Sequence, residues 1–176
     1  KVQEWINSHL DFFGSDLNNQ IIPALKQQGI IIYYNTPIRK EHLPEIRDIF
    51  LSNILSFIQP IYLHGKSEKS FKPENNKLYF VITLQENNDG VLKQALVNIP
   101  SGKTKRFFTL SSLDGFNYVI FLDDIVRKNL YYIFPVLQII SVYSIKVTRD
   151  SELNFSDYYG GNLQKKINRQ LKKSDF

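Results

Sequence analysis

The chain has 176 residues, of which 43% are hydrophobic and 22% charged. That suits one domain with a buried core and excludes a chain that is disordered throughout. It contains no cysteine, which removes disulfides, thiolate nucleophiles, Cys-bound zinc and iron–sulfur clusters. The net charge is +5, but residues 161–176 hold five basic residues against Asp175 alone, leaving +1 for residues 1–160. A basic tail of this kind is weak support for a nucleic-acid surface, which needs cations clustered on a folded face.

In chain order, Ile6, Leu10, Phe13, Leu17, Ile21 and Ala24 recur every three or four residues, predicting an amphipathic helix over 3–28. Pro23 should kink its last turn, and Gly29 should stop it. The β-branched and aromatic run from Ile30 to Tyr34 predicts a short strand, closed by Thr36-Pro37. A second helix follows over 41–58. Pro44 suits its first turn, Leu43, Ile46, Phe50, Ile54 and Phe57 form its apolar stripe, and Pro60 ends it. Residues 64–76 are polar and read as a loop.

From Lys77 the period becomes two. Strands are predicted over 77–84 and 91–99, joined by a turn with the Asp89-Gly90 hairpin signal, then over 106–110 and 116–121. Asp123 or Asp124 should cap a helix running to Phe134, with Ile125, Val126, Leu130 and Ile133 inward and Arg127 and Lys128 in water. A long strand is expected over 136–148, a polar stretch with Gly160-Gly161 over 152–161, and a last helix over 162–173. This order lacks strict βα alternation. The fold class is α+β: an N-terminal helix pair beside a mixed, largely antiparallel sheet, with two further helices. No apolar run reaches the roughly 18 residues needed to cross a bilayer, and no secretion-signal pattern opens the sequence. The absence of methionine points to an internal piece of a longer chain.

Motifs for chemistry are sparse. Gly102-Lys103-Thr104 imitates the end of a phosphate-binding loop, but the leading glycine is missing and the motif lies between strands, so it reads as a turn. His9, His42 and His64 lack metal-ligand spacing and read as scattered surface histidines. Asp123-Asp124 could do acid–base work, but their place at a helix start favours capping. Ser151 to Asp157 lacks the alternating ligands and central glycine of a calcium loop. The many tyrosines fall in periodic segments and read as packing rather than base-stacking platforms. No catalytic centre emerges from residue chemistry.

One ordered set of residues is more specific. Ala95-Leu96-Val97-Asn98-Ile99-Pro100 leads to Arg106-Phe107-Phe108-Thr109-Leu110. Then come Phe121-Leu122-Asp123-Asp124-Ile125-Val126, Leu130 and Ile133-Phe134, and finally Tyr143 to Asp150 (YSIKVTRD) with Glu152-Leu153. This set resembles the middle, or head, domain of bacterial polyphosphate kinases of the phosphohistidine type. Phe71-Lys72-Pro73 and the two N-terminal helices fall in the family's order. Ile145, Lys146 and Pro135 depart from its usual Phe, Arg and Gly, and residues 61–70 are not family-like.

The resemblance implies that residues 1–176 are a single middle domain of a longer enzyme that reversibly transfers the terminal phosphate of ATP to polyphosphate. It implies a non-catalytic scaffold that braces the nucleotide tunnel and supports dimerisation, in a cytoplasmic protein, free or peripheral to the inner face of the membrane. ATP and magnesium belong to the intact enzyme, and no cofactor to this piece. The phosphorylated histidine lies elsewhere in the family, so no catalytic residue is carried over. Lys103, Lys105, Arg106 and Arg149 are the candidate polyanion-binding residues. Arg149 could equally anchor the end of its strand through an ion pair or a loop carbonyl. The alternative to a kinase domain is a stand-alone basic module that binds RNA or another polyanion, recognised by salt-dependent binding.

Overall fold

Pro23 has no N–H to give a helix, and its ring crowds the carbonyl four residues back. The structure, a computed structural model describing residues 2–34, 36–63, 73–86 and 90–148, meets this with a π turn (Leu17–Ile21). The turn lies between α1 (Val2–Asp16) and α2 (Ile22–Gln27), and Pro23 stands at the start of α2. A π turn takes in an extra residue, so the faces before and after it fall out of phase by about 100°. The stripe expected from the sequence is therefore broken. Ile22 and Leu25 are half-buried on the side of the first strand, while Ile21 and Ala24 are exposed. Ile6, Leu10 and Phe13 are also exposed, and among the described residues α1 has no substantial neighbour beyond the π turn. Gly29 ends the stretch at φ 75°, as expected of a helix stop.

The remaining elements are β1 (Ile30–Tyr33), a 3₁₀ turn (Lys40–His42), α3 (Leu43–Ile49), a π turn (Phe50–Ile54) and a 3₁₀ turn (Leu55–Phe57). Then come β2 (Pro60–Tyr62), β3 (Lys77–Glu86), β4 (Leu92–Asn98), β5 (Phe107–Leu113) and β6 (Phe116–Phe121). They are followed by α4 (Leu122–Lys128), α5 (Leu130–Ile133) and β7 (Leu137–Val147). The helix expected over 123–134 starts one residue earlier and breaks at Asn129. The side-chain amide of this buried asparagine donates to the Ile125 carbonyl at 2.8 Å. The expected final helix over 162–173 lies outside the described residues.

The fold is α+β, with the strands divided between two sheets. One has the order β1-β6-β5, with β1 parallel to β6 and β5 antiparallel to it. The other, β2-β4-β3-β7, is antiparallel throughout. The alternation read in the sequence points Phe80, Ile82 and Leu84 of β3 and Ala95 and Val97 of β4 inward. They meet Ile46, Phe50 and Ile54, then Ile125, Val126 and Leu130, and finally Tyr118 and Ile120 of the other sheet. Both sheets thus share one core through the α3 and α4 segments.

Candidate functional site

Three places gather polar chemistry among the described residues. The first is the turn between β4 and β5. The Lys103 and Thr104 amides both donate to the Pro100 carbonyl, at 3.0 and 3.2 Å, and no helix follows. Gly102-Lys103-Thr104 is therefore a turn, as its position between strands implied. Beside it opens a cleft of about 220 Å³. Its floor is set by Asn98, whose side chain accepts from the Gln59 amide at 2.7 Å and donates to the Phe57 carbonyl at 2.8 Å. Lys103 lines the cleft together with Lys77, Glu74, Ser56 and Gln59.

Of the four basic residues expected to attract a polyanion, only Lys103 lines this cleft. Lys105 and Arg106 are exposed on the same connection, outside the lining, and Arg149 lies outside the described residues. Sequence reasoning missed Lys77. The signal was the hairpin itself: Tyr79 faces Asn98 and Gln85 faces Leu92, and this register brings Lys77 level with Pro100.

The second place is His42, which is 1% exposed and not a surface residue as the sequence suggested. Its ring packs edge-on against Tyr118 at 4.6 Å between centroids. The Tyr33 hydroxyl lies 2.6 Å from Nδ1, and the Ser111 carbonyl 2.8 Å from Nε2. A carbonyl only accepts, so Nε2–H donates to Ser111, and in the neutral ring Nδ1 accepts from Tyr33. The Tyr33 oxygen accepts the Arg39 amide at 3.2 Å. Burial pushes the Tyr33 hydroxyl above its usual pKa, against the Arg39 amide, which lowers it. At the rim, Arg39 pairs with Glu41 and Asp114; the guanidinium holds the Glu41 carboxyl below its usual range. Both ring nitrogens of His42 are engaged and the ring is sealed from water, which suits a core joint and not a phosphate acceptor. His9 is exposed on α1, its Nδ1 2.9 Å from the Trp5 carbonyl. His64 lies outside the described residues.

The third place is Asp123-Asp124. The residue preceding α4 is Phe121, and no side chain caps the helix, contrary to the expected capping by either aspartate. Both aspartates instead lie inside the first turn, where the helix dipole favours a negative charge. Burial, with Asp123 beside it, pushes the Asp124 carboxyl up to about 6. Arg127 is exposed, as expected, and its side chain also reaches across to β7. It donates to the Val142 carbonyl at 3.2 Å and the Ser144 hydroxyl at 2.9 Å, with its guanidinium 4.6 Å from the Phe80 ring centroid. Among the described residues no group of three or more His, Asp or Glu could hold a metal ion.

A family model described as the polyphosphate kinase middle domain matches residues 41–176. The chain belongs to the polyphosphate kinase family, as its middle domain. The polyphosphate kinase of Prosthecochloris aestuarii is 21% identical over 178 residues, which span 98% of this chain and 25% of that protein. That of Bacillus cereus is 26% identical over 160 residues, spanning 88% and 22%. The crystal structure of polyphosphate kinase from Porphyromonas gingivalis matches with a TM-score of 0.76 and 26% identity, over 88% of this chain and 27% of that one. This middle domain thus spans about a quarter of the length of such kinases. The family-like block at 95–153 holds the β4–β5 turn, α4 and β7, so the cleft and the Arg127 clasp both involve it.

Proposed function

We propose that this domain is a non-catalytic scaffold within a longer polyphosphate kinase that reversibly transfers the terminal phosphate of ATP to polyphosphate. The observation that carries the reading is the match of residues 41–176 to the middle-domain family in a chain a quarter the length of its relatives. The polar groups described here support it. His42 is locked into the core by both nitrogens, and Arg127 ties a helix to a strand. ATP and magnesium act in the parts of the parent chain beyond this one, the parent is a cytoplasmic dimer, and this domain contributes to its dimer contact. Lys103, Lys105 and Arg106, exposed on the β4–β5 connection, draw the anionic chain toward the domain in a salt-dependent way, and Arg149 adds to that attraction through its charge.

The test compares the 176-residue chain with the parent protein, each incubated with ATP, magnesium and polyphosphate. The parent is expected to exchange phosphate between ATP and polyphosphate. The isolated chain is expected to form neither ADP nor phosphohistidine. Stoichiometric phosphohistidine on the isolated chain would overturn the scaffold reading.

A further inference from the structure

The cleft beside the β4–β5 turn has the makings of an anion site that the family assignment does not specify. Two lysines line it, Lys77 at the start of β3 and Lys103 in the turn. The Lys77 ammonium lies close over Gly102, 2.9 Å from where a Cβ would stand, and the flexible lysine end would shift if a side chain stood there. In the same turn the amides of Ser101, Lys103 and Thr104 are taken by backbone carbonyls, whereas the Gly102 amide donates to no group among the described residues. Ser56 and Gln59 also line the cleft. At about 220 Å³ the cleft holds roughly seven waters' worth of space, enough for a phosphate group with part of its hydration.

One carboxylate opposes this. Glu74 lines the cleft with an oxygen 4.0 Å from Lys77 Nζ, and its amide is pinned to the Tyr79 hydroxyl at 3.0 Å. At that distance the pair is loose and open to water, so it contributes little and is readily exchanged. Two lysines against one glutamate leave a net positive cleft. Lysine serves as a mobile point charge for phosphate, and a backbone amide adds a fixed donor.

We propose that this cleft, with Lys77, Lys103 and the Gly102 amide as donors, binds a phosphate group of the polyphosphate chain and that Glu74 is the anion it displaces. The inference rests on the polyphosphate kinase reading for the identity of its ligand. A polyphosphate strand running over the cleft would place one phosphate between the two ammonium groups and its neighbours along the Lys105 and Arg106 side.

The experiment titrates the 176-residue chain with inorganic tripolyphosphate, orthophosphate and ATP. Amide NMR reads the place of binding, and calorimetry at low and high salt reads its strength. Tripolyphosphate should shift the Gly102 and Lys103 amides in a saturable way, bind more tightly than orthophosphate, gain nothing from an adenosine, and weaken with salt. Lys77→Ala and Lys103→Ala should each cost about tenfold in affinity, as loss of one charge-assisted bond does. Glu74→Gln should tighten binding, and Lys128→Ala, exposed on α4 outside the cleft, should change it by less than about twofold. Melting temperatures of all variants confirm that they fold.

Wild-type affinity in Lys77→Ala and Lys103→Ala, or saturation without movement of the Gly102 amide, would overturn the cleft and leave the scaffold reading standing. A preference for ATP over tripolyphosphate would overturn the assignment to the inorganic chain. Conversely, a parent protein that makes no polyphosphate, with the cleft still binding tripolyphosphate, would sink the kinase reading alone.

Discussion

His42 and Asp124 show how little a residue's type says about its role until its neighbours are known. A histidine at a helix start in a charged stretch reads as exposed, and the sequence gives no sign that Tyr33, nine residues earlier, and Ser111, far downstream, will close over both ring nitrogens. Asp124 presents the opposite case. Two adjacent aspartates at a helix start were visible, but their burial was not. The Asp124 carboxyl titrates at about 6 in the fold against an ordinary value of 3.8. The folded chain therefore binds more protons than the unfolded one between these values, and the unfolding free energy falls as pH rises from about 4 to about 6. The stabilisation is complete below the lower value and lost above the upper. Glu41, held low by Arg39, acts in the reverse sense at more acid pH, so the useful quantity is a difference between proteins. Urea midpoints across this window should fall less steeply with pH in Asp124→Asn than in the wild type. Parallel profiles would show that the Asp124 carboxyl is as well solvated in the fold as out of it.

Elements were legible where their period was uninterrupted. β3 and β4 follow from β-rich runs with a period near two, broken at Tyr79-Phe80 and at Ala95 to Val97, and from the turn signal between them, and β6 has the bounds its composition suggested. β2 was not legible. It is three residues long, and Pro60, read as a helix stop, is also its first residue, which an edge strand tolerates because that N–H need not pair. In α4 and α5 the inward face was read correctly, as Ile125, Val126 and Leu130 are buried and Ile133 half-buried. The outward face was read correctly too, since Arg127 and Lys128 are both exposed, but the contacts of Arg127 with β7 and the Phe80 ring were not legible, because only the tertiary fold brings them within its reach. Three substitutions rank these roles. Leu130→Ala should cost roughly 2–5 kcal/mol, since it empties a packed site. Arg127→Ala should cost about 1–2 kcal/mol, from two hydrogen bonds and a ring contact at a partly wet surface. Lys128→Ala should stay within about 0.5 kcal/mol. Chemical denaturation of the three variants checks the order. Equal losses at Arg127 and Lys128 would mean that the clasp on β7 adds nothing to stability.

The arrangement of the whole molecule was the least legible level. Ile30–Tyr33 pairs in parallel with Phe116–Phe121, and no local pattern announces a partner so distant in sequence. The same holds for the division into two sheets, since each strand's alternation says which face is buried but not against what. The family-like block at 95–153 carried more of the architecture than periodicity did, because its order of strand, turn, helix and strand belongs to a fold and not to one element.

Among the described residues α1 also stands apart: its 15 residues pack on little beyond the π turn, and a helix of that length is marginal in water on its own. Trp5, the only tryptophan, is 62% exposed there, near Leu10, Phe12 and Phe13, which are exposed as well. Tryptophan fluorescence of the isolated chain should therefore report α1 and not the core. Emission is expected near that of indole in water, and its change on heating should precede the loss of β-sheet circular dichroism. Hydrogen exchange should agree, with α1 amides far less protected than those of Phe80, Ile82 and Val97, because local opening of α1 exposes no part of the shared core. A blue-shifted tryptophan that melts together with the sheets would show α1 to be covered and cooperative with the core, and would refute its isolation.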